Sequence, residues 1–389
     1  MSQQEPLIFI ISGEASGDNL AGLLMSALKE QTGGRARFAG VGGPQSAAQG
    51  LESLFPMQEL SLMGLAEVIP HLPRLIKRLR QTTATARELK PDVVVTVDAP
   101  GFTLRVAQKL RGSGIPVVHY VAPQLWAWRP GRAKKLAKAV DHVMALLPFE
   151  VPFFANYGVP CTYVGHSAIE AGAGRGDGKA FRARHGLPAD APVLCVVPGS
   201  RVGEVGRILP VFAEALSMLK ERYPNLHIVI PVAAAVAQEV EAMTRDWPFP
   251  VVRVTNPEER FDAFAACDAA MTKSGTVTLE LALAEVPMVV AYRVIPATAY
   301  LVRLMGVGVE HASLVNLLVG HGLVPELIQE ECTPEKVANA MEELFTSDDA
   351  RETQRQGFRQ LIDMMGKANP PPSARAAQVV LDLVRARSS

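Results

Sequence analysis

Short apolar runs, each followed by a turn of small residues and a helix-like segment, recur along the chain and strongly constrain its fold. Leu7–Ile11 and Pro91–Asp98 have this pattern in the first half, and Val193–Val197 and Ala269–Thr272 have it in the second. Apolar runs of this length are typical of strands buried in a parallel sheet, with helices in the crossovers. The sequence therefore predicts an α/β chain of doubly wound, Rossmann-like units.

A glycine-rich segment separates the two halves. Between Gly165 and Gly178 the composition changes and little is left to bury, as is typical of a linker. We predict a first Rossmann-like domain over 1–168, a second over 169–350, and C-terminal helices over 351–389 that pack back on the first domain or on a partner subunit. Two such domains would form a cleft between the facing ends of their strands.

Charge and cysteine content narrow the classes of function. The chain has 39 basic and 39 acidic residues, a balance that argues against nucleic acid as a partner. Its four cysteines are far apart, so a disulfide framework is not expected and the cytoplasm is the expected compartment. The N-terminus lacks the basic region of a signal peptide, and no apolar run approaches the ~20 residues of a spanning helix. Any membrane contact is expected to be peripheral.

The stretch Lys273–Glu280 reads as strand, tight turn and helix. Ser274, Gly275 and Thr276 are small, so the backbone can approach a ligand where a helix start favours an anion such as a diphosphate. Glu280, one helical turn further on, could accept hydrogen bonds from ribose hydroxyls. An ordinary turn with Ser274 or Thr276 as a helix cap is the alternative.

The turn Pro198–Arg201 places a cation after another predicted strand. The planar guanidinium of Arg201 can pair with a phosphate; an ordinary surface arginine is the alternative. Together with Lys273–Glu280, it predicts a nucleoside diphosphate site in the second half. The chain contains no Asp-x-Asp, the pattern expected where a metal chelates a nucleotide sugar. Arg201, Lys273 and backbone dipoles are therefore expected to stabilise the charge of the leaving group.

Asp98 ends the strand-like stretch Pro91–Asp98 and is the candidate general base. Ligands of open α/β sheets bind beyond the carboxyl ends of the strands, where a carboxylate can accept a proton from a reacting hydroxyl. Capping of the next helix is the alternative. In the first turn of the chain, Glu14 and Asp18 would repel a bare phosphate, so this turn suits sugar hydroxyls or a helix cap.

Residues Met57–Arg80 form a basic amphipathic stretch. Apolar side chains recur at helical spacing among clustered cations, which is typical of a membrane-surface contact. A core-facing helix with a solvated basic side is the alternative. Pro70 and Pro73 are predicted to forbid one continuous helix, with Pro73 in the first turn of a second one.

Several stretches together resemble the lipid-A-disaccharide synthases. They are Ser12–Asp18, Met63–Val68, Val97–Phe102, Tyr120–Trp128, Pro198–Arg201, Ser274–Thr276 with Glu280, and Ser313–Leu318. The resemblance extends from the first strand to the C-terminal helices. It implies the two-domain glycosyltransferase-B (GT-B) fold, no required metal and no separate cofactor, since UDP is part of the donor substrate.

The resemblance also implies a reaction and its site residues. UDP-2,3-diacylglucosamine and 2,3-diacylglucosamine 1-phosphate (lipid X) would give a β(1→6) disaccharide 1-phosphate and UDP, with inversion at the donor's anomeric carbon. Asp98 would deprotonate the acceptor 6-hydroxyl, while Glu14 and Ser16 would lie in the cleft. The residues expected to line the UDP site are Arg201, Ser274, Thr276, Glu280 and Asn316.

Members of this family are peripheral inner-membrane enzymes, which makes Leu62–Leu79 the expected lipid-facing element; a homodimer is left open. Three positions depart from the family pattern. Ser167 and Val315 stand where proline is usual, which bears on hinge and loop rigidity. Lys273 stands where a small residue is common, and it could add a contact to the diphosphate.

Two other functions remain open at this point. Another UDP-sugar enzyme of the same fold, an epimerase or a transferase with a soluble acceptor, would share the features of the second half. A non-enzymatic peripheral membrane protein that binds UDP-linked lipids is the other. The amphipathic stretch argues against the first, and Asp98 at a strand end argues against the second.

Overall fold

The computed structural model describes residues 5–60, 65–123, 125–128, 130–294, 311–366 and 370–388. The chain divides into two compact units. Unit 1 comprises Met1–Glu170 and Ala368–Ser389, and unit 2 comprises Ala171–Lys367. Each unit is built on one six-stranded parallel sheet, and helices connect the strands. The predicted α/β class with two doubly wound, Rossmann-like units is therefore confirmed.

The sheet of unit 1 has the strand order β2-β1-β3-β4-β5-β6. Its strands are β1 (Leu7–Ser12), β2 (Arg37–Val41), β3 (Val93–Val97), β4 (Val117–Tyr120), β5 (His142–Ala145) and β6 (Cys161–Tyr163). The central strands β1 and β3 are almost completely buried, as their continuous apolar sequences require. Chain order reverses between β1 and β3, so this pair forms the topological switch point.

The sheet of unit 2 has the order β12-β11-β10-β7-β8-β9. Its strands are β7 (Val193–Val197), β8 (His227–Pro231), β9 (Val251–Val254), β10 (Ala269–Lys273), β11 (Met288–Tyr292) and β12 (Glu326–Ile328). Within this unit the order is that of a dinucleotide-binding Rossmann sheet. The switch point lies between β7 and β10, which pair from Ala269 with Leu194 to Thr272 with Val197.

The helices in chain order surround these sheets. They are α1 (Ala15–Thr32), α2 (Pro44–Ala48), α3 (Leu65–Leu89), α4 (Pro100–Leu110), α5 (Leu125–Trp128), α6 (Ala133–Ala137), α7 (Glu150–Ala155), α8 (Ser167–Ala171), α9 (Gly178–Arg184), α10 (Val202–Leu219), α11 (Ala237–Thr244), α12 (Arg260–Ala265), α13 (Val277–Leu283), α14 (Leu314–Val319), α15 (Pro334–Thr346), α16 (Asp348–Met364) and α17 (Pro372–Ser388). Short 3-10 turns occupy Met57–Leu60, Pro130–Arg132, Ala173–Arg175, Ala234–Val236, Pro257–Glu259 and Gln329–Glu331.

The two C-terminal helices belong to different units. α16 lies in unit 2, where the side-chain amide of Gln354 bonds both backbone groups of Met288 at the start of β11. α17 lies in unit 1 and packs against α1. Its apolar face, which includes Ala377, Val380 and Leu381, is buried in the core beside β1 and β3. Helix α17 therefore completes the core of unit 1 from the far end of the chain.

Helix α3 corrects one prediction from the sequence. It runs without a break from Leu65 to Leu89 with both Pro70 and Pro73 inside it, so the expectation that these prolines forbid one continuous helix is wrong. Each proline removes one backbone donor, and the helix continues through both losses. No helix in the described parts of the chain has the length and apolar character to cross a membrane.

Candidate functional site

The carboxyl ends of β1 and β3 bring two predicted site residues of unit 1 onto one edge. Ser12, the last residue of β1, pairs with Val97, the last residue of β3. Glu14 follows β1 by two residues and is half-buried in extended backbone before α1, while Ser16 is exposed in the first turn of that helix. Asp98 directly follows β3 and is half-buried. These residues lie at the switch point, where ligands of doubly wound sheets bind.

The backbone of Asp98 is held in an uncommon conformation. Asp98 and Ala99 have φ values of 49° and 44°, in the left-handed region that few non-glycine residues adopt. The N–H of Asp98 donates to the Tyr120 carbonyl at 3.0 Å, and the Thr103 hydroxyl donates to the Asp98 carbonyl at 2.7 Å. These two hydrogen bonds fix the turn from β3 into α4, and they thereby fix the backbone position from which the Asp98 side chain extends.

Close packing brings the loop after β1 against this turn. A Cβ placed on Gly17 would lie 3.7 Å from the Cβ of Asp98, and one placed on Gly13 would lie 2.7 Å from the Cβ of Ala99. Since real Cβ atoms do not approach each other to 2.7 Å, position 13 has room for glycine only. Gly13 therefore permits the close contact between the two loops.

Asp18 has the helix-cap role that the sequence left open, but for a different helix. It is buried, and its carboxylate accepts hydrogen bonds from the N–H groups of Gly43 and Gln45, each at 2.8 Å, and from Ser46. These N–H groups are at the start of α2, where a helix has unpaired donors. Asp18 is thus committed to the structure, whereas Glu14 and Ser16 remain at the edge of the sheet.

In unit 2, two predicted cations meet on a carboxylate that sequence analysis did not single out. Arg201 precedes α10 and its guanidinium donates to Oε1 of Glu204 at 3.1 Å. Lys273, the last residue of β10, donates from Nζ to the same oxygen at 3.0 Å. Glu204 therefore joins the turns after β7 and β10 at the switch point, because one cation from each turn donates to its carboxylate.

The electrostatics of this trio favour the charged form of the acid. Burial alone would raise the pKa of Glu204, but the ammonium of Lys273 and the guanidinium of Arg201 together lower it below its ordinary value. The Lys273 side chain is 16% exposed, and its Nζ lies 5.6 Å from the centroid of the Tyr292 ring, within cation–π range. Arg201 is 53% exposed, so part of its guanidinium faces solvent.

Ser274, Gly275 and Thr276 form the turn between β10 and α13. The Ser274 hydroxyl donates to the carbonyl of Ala312 at 2.6 Å, and Thr276 makes no side-chain cap to α13. Neither hydroxyl therefore has the cap role considered from the sequence. Helix α13 has only seven residues, so its dipole is small, and Arg201 and Lys273 carry most of the positive charge near this turn.

Glu280 lies on α13 and pairs with Arg260. Its Oε1 accepts from the Arg260 guanidinium at 2.8 Å, and its side chain is 14% exposed. Burial raises the pKa of Glu280, and Arg260 opposes this shift. One carboxylate oxygen of Glu280 is thus oriented by a cation that the sequence did not reveal as its partner.

Asn316 is buried on α14, and its amide holds the following loop. The carbonyl oxygen accepts from the N–H groups of Leu323 and Val324, each at 2.9 Å, and the amide nitrogen donates to the Val324 carbonyl. Glu326 accepts from the N–H groups of Ala312 and Ser313 at 2.8 Å each. Both polar side chains are therefore satisfied by backbone groups of this loop.

A depression of about 480 Å³ opens beside this loop. Its lining includes Asn316 and Glu326 together with His311, Leu323 and Ile328. Because Ser274 bonds Ala312, the turn after β10 is tied to the same loop. In the described ranges, no group of three or more His, Cys, Asp or Glu side chains is arranged to hold a metal ion.

Glu204 and Arg260 were not predicted from the sequence. They orient three residues that were: Arg201, Lys273 and Glu280. A signal existed for Glu204, since it stands three residues after Arg201, a spacing at which two side chains face each other on a helix. No such signal existed for Arg260, which lies 20 residues from Glu280. The structure groups Arg201, Lys273 and the turn 274–276 at one switch point, and it places Glu280 on α13 and Asn316 on α14.

Solved structures with similar folds include UDP-sugar enzymes. The UDP-GlcNAc 2-epimerase from Neisseria meningitidis bound to UDP-GlcNAc has a TM-score of 0.64 at 12% identity and covers 97% of this chain and 98% of that one. MurG of Acinetobacter baumannii has a TM-score of 0.53 at 18% identity, with 97% and 99% covered. At such identities the likeness shows the fold, which is that of GT-B glycosyltransferases and epimerases.

Sequence comparisons are more specific. A family model described as lipid-A-disaccharide synthetase matches residues 8–380. The lipid-A-disaccharide synthase of Rhodospirillum centenum is 50% identical over 383 residues, covering 98% of this chain and 95% of the relative. That of Paramagnetospirillum magneticum is 46% identical over 382 residues, covering 97% and 98%. The chain therefore belongs to the lipid-A-disaccharide synthase family and is a glycosyltransferase.

Proposed function

We propose that this enzyme transfers 2,3-diacylglucosamine from UDP to the 6-hydroxyl of 2,3-diacylglucosamine 1-phosphate, giving a β(1→6) disaccharide 1-phosphate and UDP. The observation that carries the proposal is the placement of Asp98 at the switch point of one sheet and of Arg201 and Lys273 at the switch point of the other. The full-length similarity to lipid-A-disaccharide synthases supports the choice of substrates.

Asp98 is the proposed general base. Its carboxylate accepts the proton of the acceptor 6-hydroxyl while that oxygen attacks the anomeric carbon of the donor. The bond from the anomeric carbon to the diphosphate oxygen breaks, and UDP leaves with the electron pair. A single displacement of this kind inverts the anomeric centre. The fixed left-handed backbone at Asp98 supports the role, because a base must be held within reach of the proton it removes.

Unit 2 is proposed to bind the donor. Arg201 and Lys273 bind the diphosphate and stabilise the charge that develops on the leaving group. The turn of Ser274, Gly275 and Thr276 lies beside them. Glu280, oriented by Arg260, accepts hydrogen bonds from the ribose.

Three predicted residues have narrower roles in this proposal. Asn316 acts by shaping the loop beside the donor site, since its amide is used by that loop. Glu14 and Ser16 contact the acceptor in unit 1.

No metal or separate cofactor takes part in the proposed reaction, in which two side-chain cations bind the diphosphate.

Both substrates carry acyl chains, so we also propose that the enzyme works at the cytoplasmic face of the inner membrane. The predicted contact Leu62–Leu79 is described in part: residues 62–64 and the side chains up to 69 lie outside the described residues. On α3, Leu72 and Ile76 are 41% and 40% exposed, and basic residues accompany them. This combination is typical of a surface that enters the headgroup region. A homodimer remains part of the proposal.

Incubation with the two acylated sugars tests the function. UDP release measured together with formation of the disaccharide 1-phosphate is the expected result, and omission of the acceptor is the control. Release of UDP without acceptor, or conversion of the donor to its C2 epimer, would contradict the proposed transfer.

A further inference from the structure

The carboxylate of Glu204 has an unusual environment inside the proposed donor site. Its side chain is 10% exposed, and its Oε1 accepts from both Arg201 and Lys273. Its Oε2 is buried and has no hydrogen-bond partner in the described part of the chain. A Cβ on Gly199, whose φ is 115°, would lie 2.7 Å from Oε2. The turn after β7 therefore closes over this oxygen.

We propose that Glu204 is a positioning residue for donor binding, which holds Arg201 and Lys273 side by side so that one diphosphate engages both. The inference rests on the proposed donor site. Because both cations donate to the same oxygen, their nitrogens can be no farther apart than the two hydrogen-bond lengths combined. That spacing suits two cations on neighbouring phosphoryl groups.

The acid makes this close approach of two cations favourable. Without a carboxylate between them, the guanidinium and the ammonium would repel each other at such a distance. With it, the trio of two cations and one carboxylate keeps a net positive charge for the ligand. Arginine has five N–H donors and lysine three, and each uses one on Glu204. Enough donors remain for phosphate oxygens.

Two glycines leave room for the stem of Lys273. Cβ atoms built on Gly199 and Gly275 would lie 3.4 Å from Cδ and 3.3 Å from Cε of Lys273. Both glycines have positive φ, 115° and 159°; only the first lies well within the region that favours glycine. The stem of Lys273 runs between these two turns, and its ammonium reaches Glu204. Lys273, unusual for the family pattern, is therefore integrated into this site.

A double-mutant cycle on UDP affinity tests the inference. The dissociation constant for UDP is measured by calorimetry for the wild type, Glu204→Gln, Lys273→Met and the double variant. We expect Glu204→Gln alone to weaken binding by about 10-fold or more, and to cost much less in the Lys273→Met background, because the acid then has one cation fewer to hold. The donor KM should rise more than the acceptor KM.

Other outcomes separate the alternatives. Tighter UDP binding by Glu204→Gln would mean that the acid merely repels the diphosphate, and equal costs in both backgrounds would mean a general structural role; either result overturns the inference. If the wild type does not bind UDP, the proposed donor site itself fails. The matched control is Glu342→Gln, which removes the same charge from an ion pair with Arg222 beyond the other end of α10, about 25 Å along the helix axis.

A shorter acid covers the case in which Glu204→Gln does not fold. Glu204→Asp keeps the charge and loses one methylene, so it cannot reach both cations in the same geometry. Glu204→Asp is expected to weaken UDP binding in the wild-type background. It is expected to weaken binding much less when Lys273→Met is also present. An unchanged UDP affinity for Glu204→Asp would contradict the positioning role.

Discussion

Glu150 shows at the scale of one residue how burial sets protonation in this protein. It begins α7, is 2% exposed, and accepts from the Leu147 N–H at 3.0 Å and from the Trp126 indole at 3.3 Å. Burial raises its pKa to about 7, although these hydrogen bonds oppose the shift. The side chain links the helix start to the loop that carries Trp126, whose ring packs edge-on against Phe149.

The raised pKa of Glu150 predicts a pH-dependent stability. Between the unfolded pKa near 4.5 and the folded pKa near 7, the folded state binds more protons, so the free energy of unfolding falls as pH rises. The total decrease in the free energy of unfolding is on the order of 3 kcal/mol, and it is complete above the folded pKa. Thermal unfolding from pH 5 to pH 8 should therefore show the wild type losing stability relative to Glu150→Gln. Parallel curves for the two proteins would contradict this.

The partners of charged residues were the least predictable feature. Arg201, Lys273 and Glu280 could be chosen from their places after strands or on a helix, because strand ends meet at one edge of a sheet. Arg260 could not be matched to Glu280, because the two residues lie on different helices and meet only in the folded unit. Glu204 was within reach of sequence reasoning through its spacing from Arg201.

At the scale of elements, the long buried strands could be predicted and the short ones could not. The run Val193–Val197 is a strand with the same bounds in the structure, because its apolar sequence suits burial on both faces. The three-residue strands β6 and β12 are half-buried at the outer positions of their sheets, so they lack that signal.

Helix α3 carries the prediction about membrane binding. Replacing the exposed Leu72 and Ile76 by serine should shift the enzyme from the vesicle pellet to the supernatant, because it removes apolar area that would enter the lipid. Sedimentation with anionic phospholipid vesicles measures the shift. Leu75 is left unchanged because it packs against the core of unit 1.

A matched pair of exposed residues in unit 2 provides the control. Met218 and Met364 are 46% and 55% exposed, so Met218→Ser with Met364→Ser removes comparable apolar surface from unit 2 and leaves α3 unchanged. This control should sediment with vesicles like the wild type. Equal behaviour of the α3 variant and the control would count against α3 as the membrane contact.

At the scale of the whole molecule, the two sheets provide separate functions. The proposed base, Asp98, lies in unit 1 and the proposed UDP contacts lie in unit 2. The two-unit α/β fold followed from the repeated strand–turn–helix pattern. The sequence did not determine whether the last helix, α17, packs on unit 1 or on a partner subunit. The reason is that its apolar face fits any complementary surface.

In the proposed mechanism, Asp98 removes a proton from the acceptor hydroxyl, and residues of unit 2 bind UDP. The most direct measurement compares turnover and UDP affinity for Asp98→Asn, with Asp141→Asn, directly before β5, as the control. We expect Asp98→Asn to bind UDP like the wild type and to lose roughly 10²–10⁴-fold in kcat, the range that general base catalysis contributes. Turnover near that of the wild type would contradict the account.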